Sequence, residues 1–195
     1  MPFDSINISC LVDIDGGKDL AMMLIEDVDK KSVIEIAQFI KEKGSKIKKG
    51  KGDADHKKRT QSANIMPAFA VSVLLDLVSF ISYRLGISIP QFAIKKNQFG
   101  VGCVTSLGML NFKDALAPFT GFANCVFLLS VNAVQDAPVV ADGNVVVGKI
   151  INCNFTVDHR YVDGGKAKTF SAAFENVFND PEKFIMSEKC EEMRE

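Results

Sequence analysis

Histidine is scarce in this chain of 195 residues, and one of its two histidines occupies a position suited to chemistry. His159 lies in the segment DHRYVDGG, between an apolar run that predicts a strand and a pair of glycines, whereas His56 lies in a lysine-rich stretch. A side chain that titrates near neutral pH, held at a turn between a strand and a helix, can take a proton from a nucleophile. His159 is therefore the first candidate for a catalytic base.

Two strands and a helix are predicted in the first 45 residues. The run 6–12 alternates like a half-buried strand, and the continuous apolar run 20–25 is typical of an interior strand. Ser32 and Glu35 form a capping box, and Gly44 is the expected end of the helix that follows it. The apolar side chains of this helix keep helical spacing at Val33, Ile36, Ala37 and Ile40.

Two segments in the middle of the chain have an unusual composition. Lysine and arginine cluster between residues 41 and 59, which we interpret as a solvated face and an exposed loop from 46 to 61. The most apolar segment, 66–90, is interrupted by Asp76 and Arg84 and predicts a buried or amphipathic helix rather than a membrane span. The helix should begin at Pro67 and end near residue 85. Its apolar stripe should face the core or another subunit, through Ala68, Val71, Leu75 and Val78.

The second half of the chain is rich in strand signals. Strands are predicted over 102–106, 125–131 and 150–157, with a hairpin over 139–147 that turns at the Asp142-Gly143 pair. A helix should follow over 166–178, with an apolar side formed by Phe170, Phe174, Val177 and Phe178. Helices that alternate with strands and then lead into an antiparallel-looking meander predict an α/β fold, a two-layer sandwich in a single domain over 1–195.

Composition narrows the classes of function. Hydrophobic residues make up 47% and charged residues 24% of the chain, and the formal net charge is -1, so nothing global predicts binding to nucleic acid. The five cysteines are odd in number and show no CxxC or Cys/His ligand spacing, which argues against a disulfide framework and a metal site. Reduced thiols predict a cytoplasmic location, and the mitochondrial matrix is equally compatible.

The segment around His159 resembles the DHRxxDG signature of the catalytic domain of the 2-oxoacid dehydrogenase acyltransferases. Chloramphenicol acetyltransferase, with a shorter HxxxDG, is a more distant relative of that family. Further stretches match the family in the same order along the chain, at residues 6–13, 24–32, 104–109 and 138–143. The similarity is strongest from 102 to 181. It implies the chloramphenicol acetyltransferase-like fold, a mixed sheet with helices on one side.

The resemblance also implies a reaction and its residues. The family moves an acyl group between coenzyme A and the thiol of dihydrolipoamide. His159 matches the family's base, and Thr105 matches the hydroxyl that hydrogen-bonds the oxyanion; the neighbouring Ser106 should point to the other face of its strand. Asp163 matches the acidic residue that holds the turn around the histidine. Asp158 and the arginine at 160 should form a structural ion pair.

The same resemblance implies partners and cofactors. In the family the histidine and the hydroxyl come from neighbouring subunits of a trimer, so a homotrimer, larger assemblies of trimers and other subunits of a 2-oxoacid dehydrogenase complex are the expected partners. Coenzyme A is the expected co-substrate. No metal is expected, and the chain has no lipoyl-lysine motif.

The chain also departs from the family pattern. No lipoyl domain or partner-binding domain is expected, and the family's opening helix and strand are not found before Ile6. The segment 52–99 is longer and more apolar than its counterpart. Three hypotheses remain: a coenzyme A-dependent acyltransferase on a thiol, a structural scaffold subunit without turnover, and an acyltransferase on another acceptor, such as an amine or a hydroxyl.

Overall fold

The computed structural model describes residues 5–13, 20–48, 67–81, 85, 99–119 and 125–183. His56, Cys190, the basic stretch beyond residue 48 and most of the apolar segment beyond residue 81 lie outside these ranges. The strands are β1 (Ile8–Asp13), β2 (Leu20–Ile25), β3 (Gly102–Ser106), β4 (Phe127–Ala141) and β5 (Asn144–Val157). The helices are α1 (Val33–Lys48), α2 (Ala68–Ser79) and α3 (Gly164–Asn179).

The five strands within these described ranges form one mixed sheet in the order β2-β1-β3-β4-β5. β1 and β2 pair as one antiparallel hairpin and β4 and β5 as another, whereas β3 lies between the hairpins and runs parallel to both β1 and β4. Two expectations were therefore wrong. β2 is at the edge of the described sheet rather than in its interior, and the second half is not a simple antiparallel meander. The apolar residues of β2 are explained instead by the helix that covers one face of this strand.

That covering helix is α1, and its start follows the predicted capping box. The Ser32 backbone N–H donates to the Glu35 carboxylate at 2.8 Å, and the Glu35 backbone N–H donates to the Ser32 hydroxyl at 3.3 Å. The predicted end at Gly44 was wrong, because the helix continues for another turn. Gly44 is buried, and the extra turn places Ile47 against Ala21 and Met23 of β2.

The predicted apolar stripe of α1 was also only partly right. Ile36 is half-buried, but Val33, Ala37 and Ile40 are exposed, and Phe39 packs on the β1–β2 core instead. The helix is therefore rotated relative to the stripe predicted from its first two turns. Ile47 lies in the turn beyond the predicted end and is the most deeply buried apolar side chain of the helix. The helix is therefore oriented so that the face carrying Ile47 packs on the sheet.

Helix α3 packs on the same face of the sheet as α1. Phe170 stacks on Phe155 of β5 with ring centroids 4.3 Å apart, and its ring lies 5.7 Å from that of Phe127 of β4. Phe155 shares a sheet face with the β1 and β2 residues that contact α1, because residues in register across a sheet point the same way. One layer of helices on one face of a mixed sheet confirms the predicted α/β two-layer sandwich.

Helix α2 differs from the expectation of a buried helix. It begins directly after Pro67, as predicted, and its regular part ends at Ser79. No residue of α2 is buried, and Phe69 and Val73 are 74% and 64% exposed. The expectation that its apolar stripe lies in the core of this chain was wrong, and packing against another subunit stays a prediction. Among the described helices, none is long and apolar enough to cross a membrane.

The opposite face of the sheet carries a second small core. Cys103 and Cys125 are buried there, and Leu11, Phe99, Phe119 and Leu128 pack against them. Burial raises the pKa of the Cys103 thiol above its ordinary value and that of Cys125 to about 12. These residues therefore act as small apolar side chains, as predicted for cysteines in apolar runs.

Candidate active site

Thr105 lies near the carboxyl end of the central strand β3. Its backbone is fixed by parallel pairing with Leu11 of β1 on one side and Ser130 of β4 on the other. The residue is 4% exposed, and its hydroxyl makes no hydrogen bond with any described residue. Ser106 is exposed and, by strand alternation, points to the opposite face, as predicted.

Thr105 belongs to a row of side chains that crosses the sheet on the face opposite the helices. The row continues from Leu11 and Thr105 to Ser130 of β4 and Asn154 of β5. Ser130 is 1% exposed, and its hydroxyl donates to the Ala115 carbonyl at 3.0 Å. The Thr105 hydroxyl thus has no hydrogen-bond partner among the described residues, whereas the neighbouring Ser130 hydroxyl has one. Of the two hydroxyls, that of Thr105 is the one available to a ligand.

The His159 turn follows directly after β5. The backbone N–H of Asp158 donates to the Val126 carbonyl at 2.9 Å, and the N–H groups of Tyr161 and Val162 donate to the Asp158 carbonyl at 3.0 and 3.1 Å. Three hydrogen bonds around one residue therefore form a tight turn. The imidazole of His159 is placed on the outside of that turn.

Asp158 and Arg160 form the predicted structural ion pair. The guanidinium Nε donates to both Asp158 oxygens at 3.0 and 2.9 Å, Nη2 lies 2.6 Å from Oδ2, and the Arg160 backbone N–H donates to Oδ1 at 3.0 Å. These bonds from Arg160 hold the pKa of the Asp158 carboxyl below its ordinary value. The ion pair links the two side chains across the turn. Both carboxylate oxygens of Asp158 are thereby engaged by Arg160, so the pair has a structural role and is not a proton donor or acceptor in the reaction.

Asp163 is the N-cap of α3. Its carboxylate accepts a hydrogen bond from the Lys166 backbone N–H at 2.8 Å, and this bond is the main reason that the pKa of Asp163 lies below its ordinary value. Asp163 therefore fixes the helix that leaves the turn, four residues after His159. His159 itself is exposed, and its imidazole has no hydrogen-bond partner among the described residues.

One chain does not bring His159 and Thr105 together. Asn154 lies in register with Thr105 two strands away, and β5 continues for three more residues before it ends at Val157. With about 4.8 Å between strands and about 3.3 Å per residue, Thr105 and Val157 are separated by roughly 14 Å. His159 lies two residues further on. Thr105 and His159 therefore lie at different places on the sheet of one chain.

Sequence reasoning missed a polar network beside Thr105. The segment Leu107–Phe119, which we call the strap, crosses the same sheet face over β4 and β5 and is held there by Ser130, Asn132, Asn152, Asn154 and Thr156. The signal for it was present in the sequence. Polar residues recur at alternate positions, 130 and 132 in one apolar strand and 152, 154 and 156 in the next, which places them all on one face.

Comparison with known proteins agrees with the resemblance found in the motifs. Residues 92–186, nearly half of the chain, match the family described as "2-oxoacid dehydrogenases acyltransferase (catalytic domain)". The matched range contains both Thr105 and His159.

Two relatives show how the likeness is distributed. The lipoamide acyltransferase component of the branched-chain alpha-keto acid dehydrogenase complex of Pseudomonas putida is 39% identical over 56 residues, 29% of this chain and 13% of the relative. The dihydrolipoyllysine-residue acetyltransferase component of the pyruvate dehydrogenase complex of Rickettsia prowazekii is 22% identical over 179 residues, 92% of this chain and 33% of the relative. The likeness is thus highest in a short segment and weaker over the whole chain.

Solved structures share the fold. Dihydrolipoamide acetyltransferase of Azotobacter vinelandii gives a TM-score of 0.60 at 21% identity, over 94% of this chain and 57% of that one. The cubic core of the pyruvate dehydrogenase multienzyme complex gives 0.60 at 20% identity over the same shares. The chain therefore spans little more than half of these solved chains and a third or less of the two relatives.

Proposed function

We propose that this chain, which matches the 2-oxoacid dehydrogenase acyltransferase family through residues 92–186, is a member of that family and transfers an acyl group between coenzyme A and a thiol such as dihydrolipoamide. Two groups carry the proposal: the hydroxyl of the buried Thr105, which is not bonded to any residue that the structure describes, and the exposed imidazole of His159 on its hydrogen-bonded turn. Both residues lie at the positions that match the family's oxyanion donor and base.

His159 supplies the proton chemistry. As a base it takes the proton from the acceptor thiol, because a thiolate attacks a thioester far better than a thiol does. The sulfur then bonds to the carbonyl carbon of the acyl-coenzyme A, and the carbonyl electron pair moves to oxygen. When the tetrahedral intermediate collapses, the carbon–sulfur bond to coenzyme A breaks, and the departing thiolate takes the proton back from His159.

Thr105 supplies the stabilisation of the oxyanion. Its hydroxyl proton is not used by any described residue, so it can be donated to the oxygen on which negative charge develops. The surrounding burial strengthens that hydrogen bond, since charge is poorly screened in a site with little water. Asp163 acts by capping α3 and so fixes the end of the turn that carries His159.

The reaction then requires a homotrimer in which His159 of one subunit faces Thr105 of the next. The separation of roughly 14 Å between Thr105 and Val157, which lies two residues before His159, supports this arrangement, because acyl transfer needs both groups within hydrogen-bond reach of the same thioester. The exposed apolar side chains at the tip of the β4–β5 hairpin also support it, since such surfaces mark contacts between proteins. They include Val140, Val145 and Val147, at 74%, 74% and 80% exposure.

The test is a thiol-release assay with acetyl-coenzyme A and dihydrolipoamide on the full chain, its His159→Ala variant and a Ser106→Ala control. We expect turnover in the wild-type protein and the control, and a loss of about 100- to 10,000-fold in His159→Ala. Because His159 is exposed and its imidazole makes no hydrogen bond within the described part of the chain, the variant should keep its thermal midpoint. Equal turnover in His159→Ala and the wild type would contradict the proposal.

Two further outcomes separate the other hypotheses. A folded oligomer that binds no coenzyme A and has no turnover would favour a structural scaffold subunit. Retained binding of coenzyme A without transfer to dihydrolipoamide would favour a different acceptor, which an assay with an amine or a hydroxyl acceptor would then test.

A further inference from the structure

The strap is fixed to the sheet at Ala115, where both backbone groups are bound by side chains. The Ala115 N–H donates to the Asn132 amide oxygen at 3.1 Å, and the Ala115 carbonyl accepts from the Asn154 amide at 3.0 Å and from the Ser130 hydroxyl at 3.0 Å. Asn132 is 2% exposed, and its amide nitrogen donates onward to the Asn152 carbonyl at 2.9 Å. Ala115 is thus bound to β4 and β5 together.

The same contact repeats on either side of Ala115. The Asn152 amide donates to the Lys113 carbonyl at 3.1 Å, and the Thr156 hydroxyl donates to the Ala117 carbonyl at 3.3 Å. Every second carbonyl of the strap therefore accepts a hydrogen bond from every second side chain of β5. The spacing is that of two neighbouring strands, but the donors are side chains instead of backbone N–H groups. All of these anchors lie on β4 and β5, and none of them is on β3.

This placement decides whether the Thr105 hydroxyl stays available. Ser130 lies in register with Thr105 on the adjacent strand, about 4.8 Å away, and the Ala115 carbonyl lies directly over Ser130. The Thr105 hydroxyl would donate to that carbonyl if the carbonyl were unbound and lay within reach, because a carbonyl oxygen sheltered from water gains from a hydrogen bond. Asn154 and Ser130 instead satisfy that carbonyl and hold it on the β4 side.

We propose that Asn132 and Asn154 are positioning residues, which anchor the strap at Ala115 and thereby keep the Thr105 hydroxyl free to bind the oxyanion. The role at Thr105 rests on the proposed acyl transfer, whereas the anchoring itself does not depend on it. Neither asparagine touches the reacting atoms. They act through the position of the strap.

The first test measures the anchor without any assay of activity, in Asn154→Ala, in Asn132→Ala and in an Asn144→Ala control at the exposed hairpin turn. Amide exchange at Ala115 should be at least about tenfold faster in Asn132→Ala than in the wild type, because the substitution removes the amide oxygen that accepts the Ala115 N–H. Exchange at Leu107, whose N–H donates to the Val131 carbonyl at 2.8 Å, should not change. The Thr105 methyl NMR signal should shift in Asn154→Ala and stay in place in Asn144→Ala.

The second test is a double-mutant cycle with Thr105→Val, which keeps the shape of the side chain and removes the hydroxyl. Asn154→Ala should lower kcat by on the order of tenfold to a hundredfold with little change in KM. The same substitution in a Thr105→Val background should have almost no further effect, because both act on one hydroxyl. Asn154 is only half-buried, so Asn154→Ala should fold. It therefore tests the anchoring of the strap even if Asn132→Ala, which truncates a buried side chain, fails to fold.

The outcomes distinguish this proposal from the proposed reaction. Equal losses of kcat in the two backgrounds would show a merely structural role, and so would an unchanged Thr105 methyl signal in Asn154→Ala. A wild-type protein without turnover would contradict the acyl transfer. The exchange and methyl data would then still support or overturn the anchoring of the strap beside Thr105.

Discussion

Thr105 and His159 are placed in opposite ways. Thr105 is positioned by long-range pairing with β1 and β4, about 90 residues before it and 25 residues after it in the chain, and it is buried. His159 is positioned by bonds within its own turn and one to Val126, and it is exposed. The proposed homotrimer would join the two, because each residue would then be one half of a site completed by another subunit.

The strongest test of this comparison mixes two inactive variants. Trimers assembled from equal amounts of His159→Ala and Thr105→Val chains should recover activity, because about one in four interfaces combines an intact histidine with an intact hydroxyl. We expect about a quarter of the wild-type thiol release after the mixture is unfolded and refolded together. Activity that stays at the level of the separate variants would show that the two residues do not share a site across subunits.

Thr105→Val alone should separate activity from stability. Loss of one oxyanion donor should lower kcat by about 100- to 1,000-fold. The thermal midpoint should stay the same or rise slightly, because the hydroxyl removed makes no hydrogen bond with a described residue. A large fall in the midpoint, measured by circular dichroism, would mean that the hydroxyl is structural and would remove the contrast with Ser130.

Thiol reagents should report how deeply the cysteines of the sheet are buried. Burial raises the pKa of Cys10 from 9.0 to about 11, so its thiolate population near pH 8 should be about a hundredfold lower than that of an ordinary cysteine. The thiols of Cys10, Cys103 and Cys125 should therefore react slowly with a disulfide reagent until the protein is unfolded. Fast labelling of Cys103 in the native protein, located by mass spectrometry, would show that the Thr105 face is open.

The smallest effect concerns acid stability of the His159 turn. The pKa values of Asp158 and Asp163 are held below their ordinary values by hydrogen bonds that exist only in the folded protein. Each carboxylate therefore adds stability above the unfolded pKa near 4, and this is lost as the pH falls through the lower folded pKa. Asp163→Asn keeps a capping oxygen but cannot titrate, so its thermal midpoint should fall less steeply than that of the wild type between about pH 5 and 3. Parallel slopes would show that the cap at Asp163 adds nothing to acid stability.

Local signals in the sequence were reliable where a few neighbouring residues decide the structure. The capping box at Ser32 and Glu35, the Asp142-Gly143 turn and the strand over 102–106 are all confirmed. Both turn residues have positive φ, 50° and 78°, which an aspartate tolerates and a glycine adopts freely. The ion pair of Asp158 and Arg160 was also predictable, because its partners are two residues apart.

The sequence by itself therefore determined the elements, the motif that carries His159 and the identity of Thr105 as the candidate hydroxyl. Only the tertiary structure decided that β2 is at the edge of the described sheet, that α1 continues past Gly44, and that the strap lies over β4 and β5. The physical reason is the range of the interactions. Caps, turns and alternation are set within a few residues, whereas strand order depends on pairings between residues far apart in the chain. The alternating polar residues of β4 and β5 predict a polar sheet face, but not which distant segment lies on it.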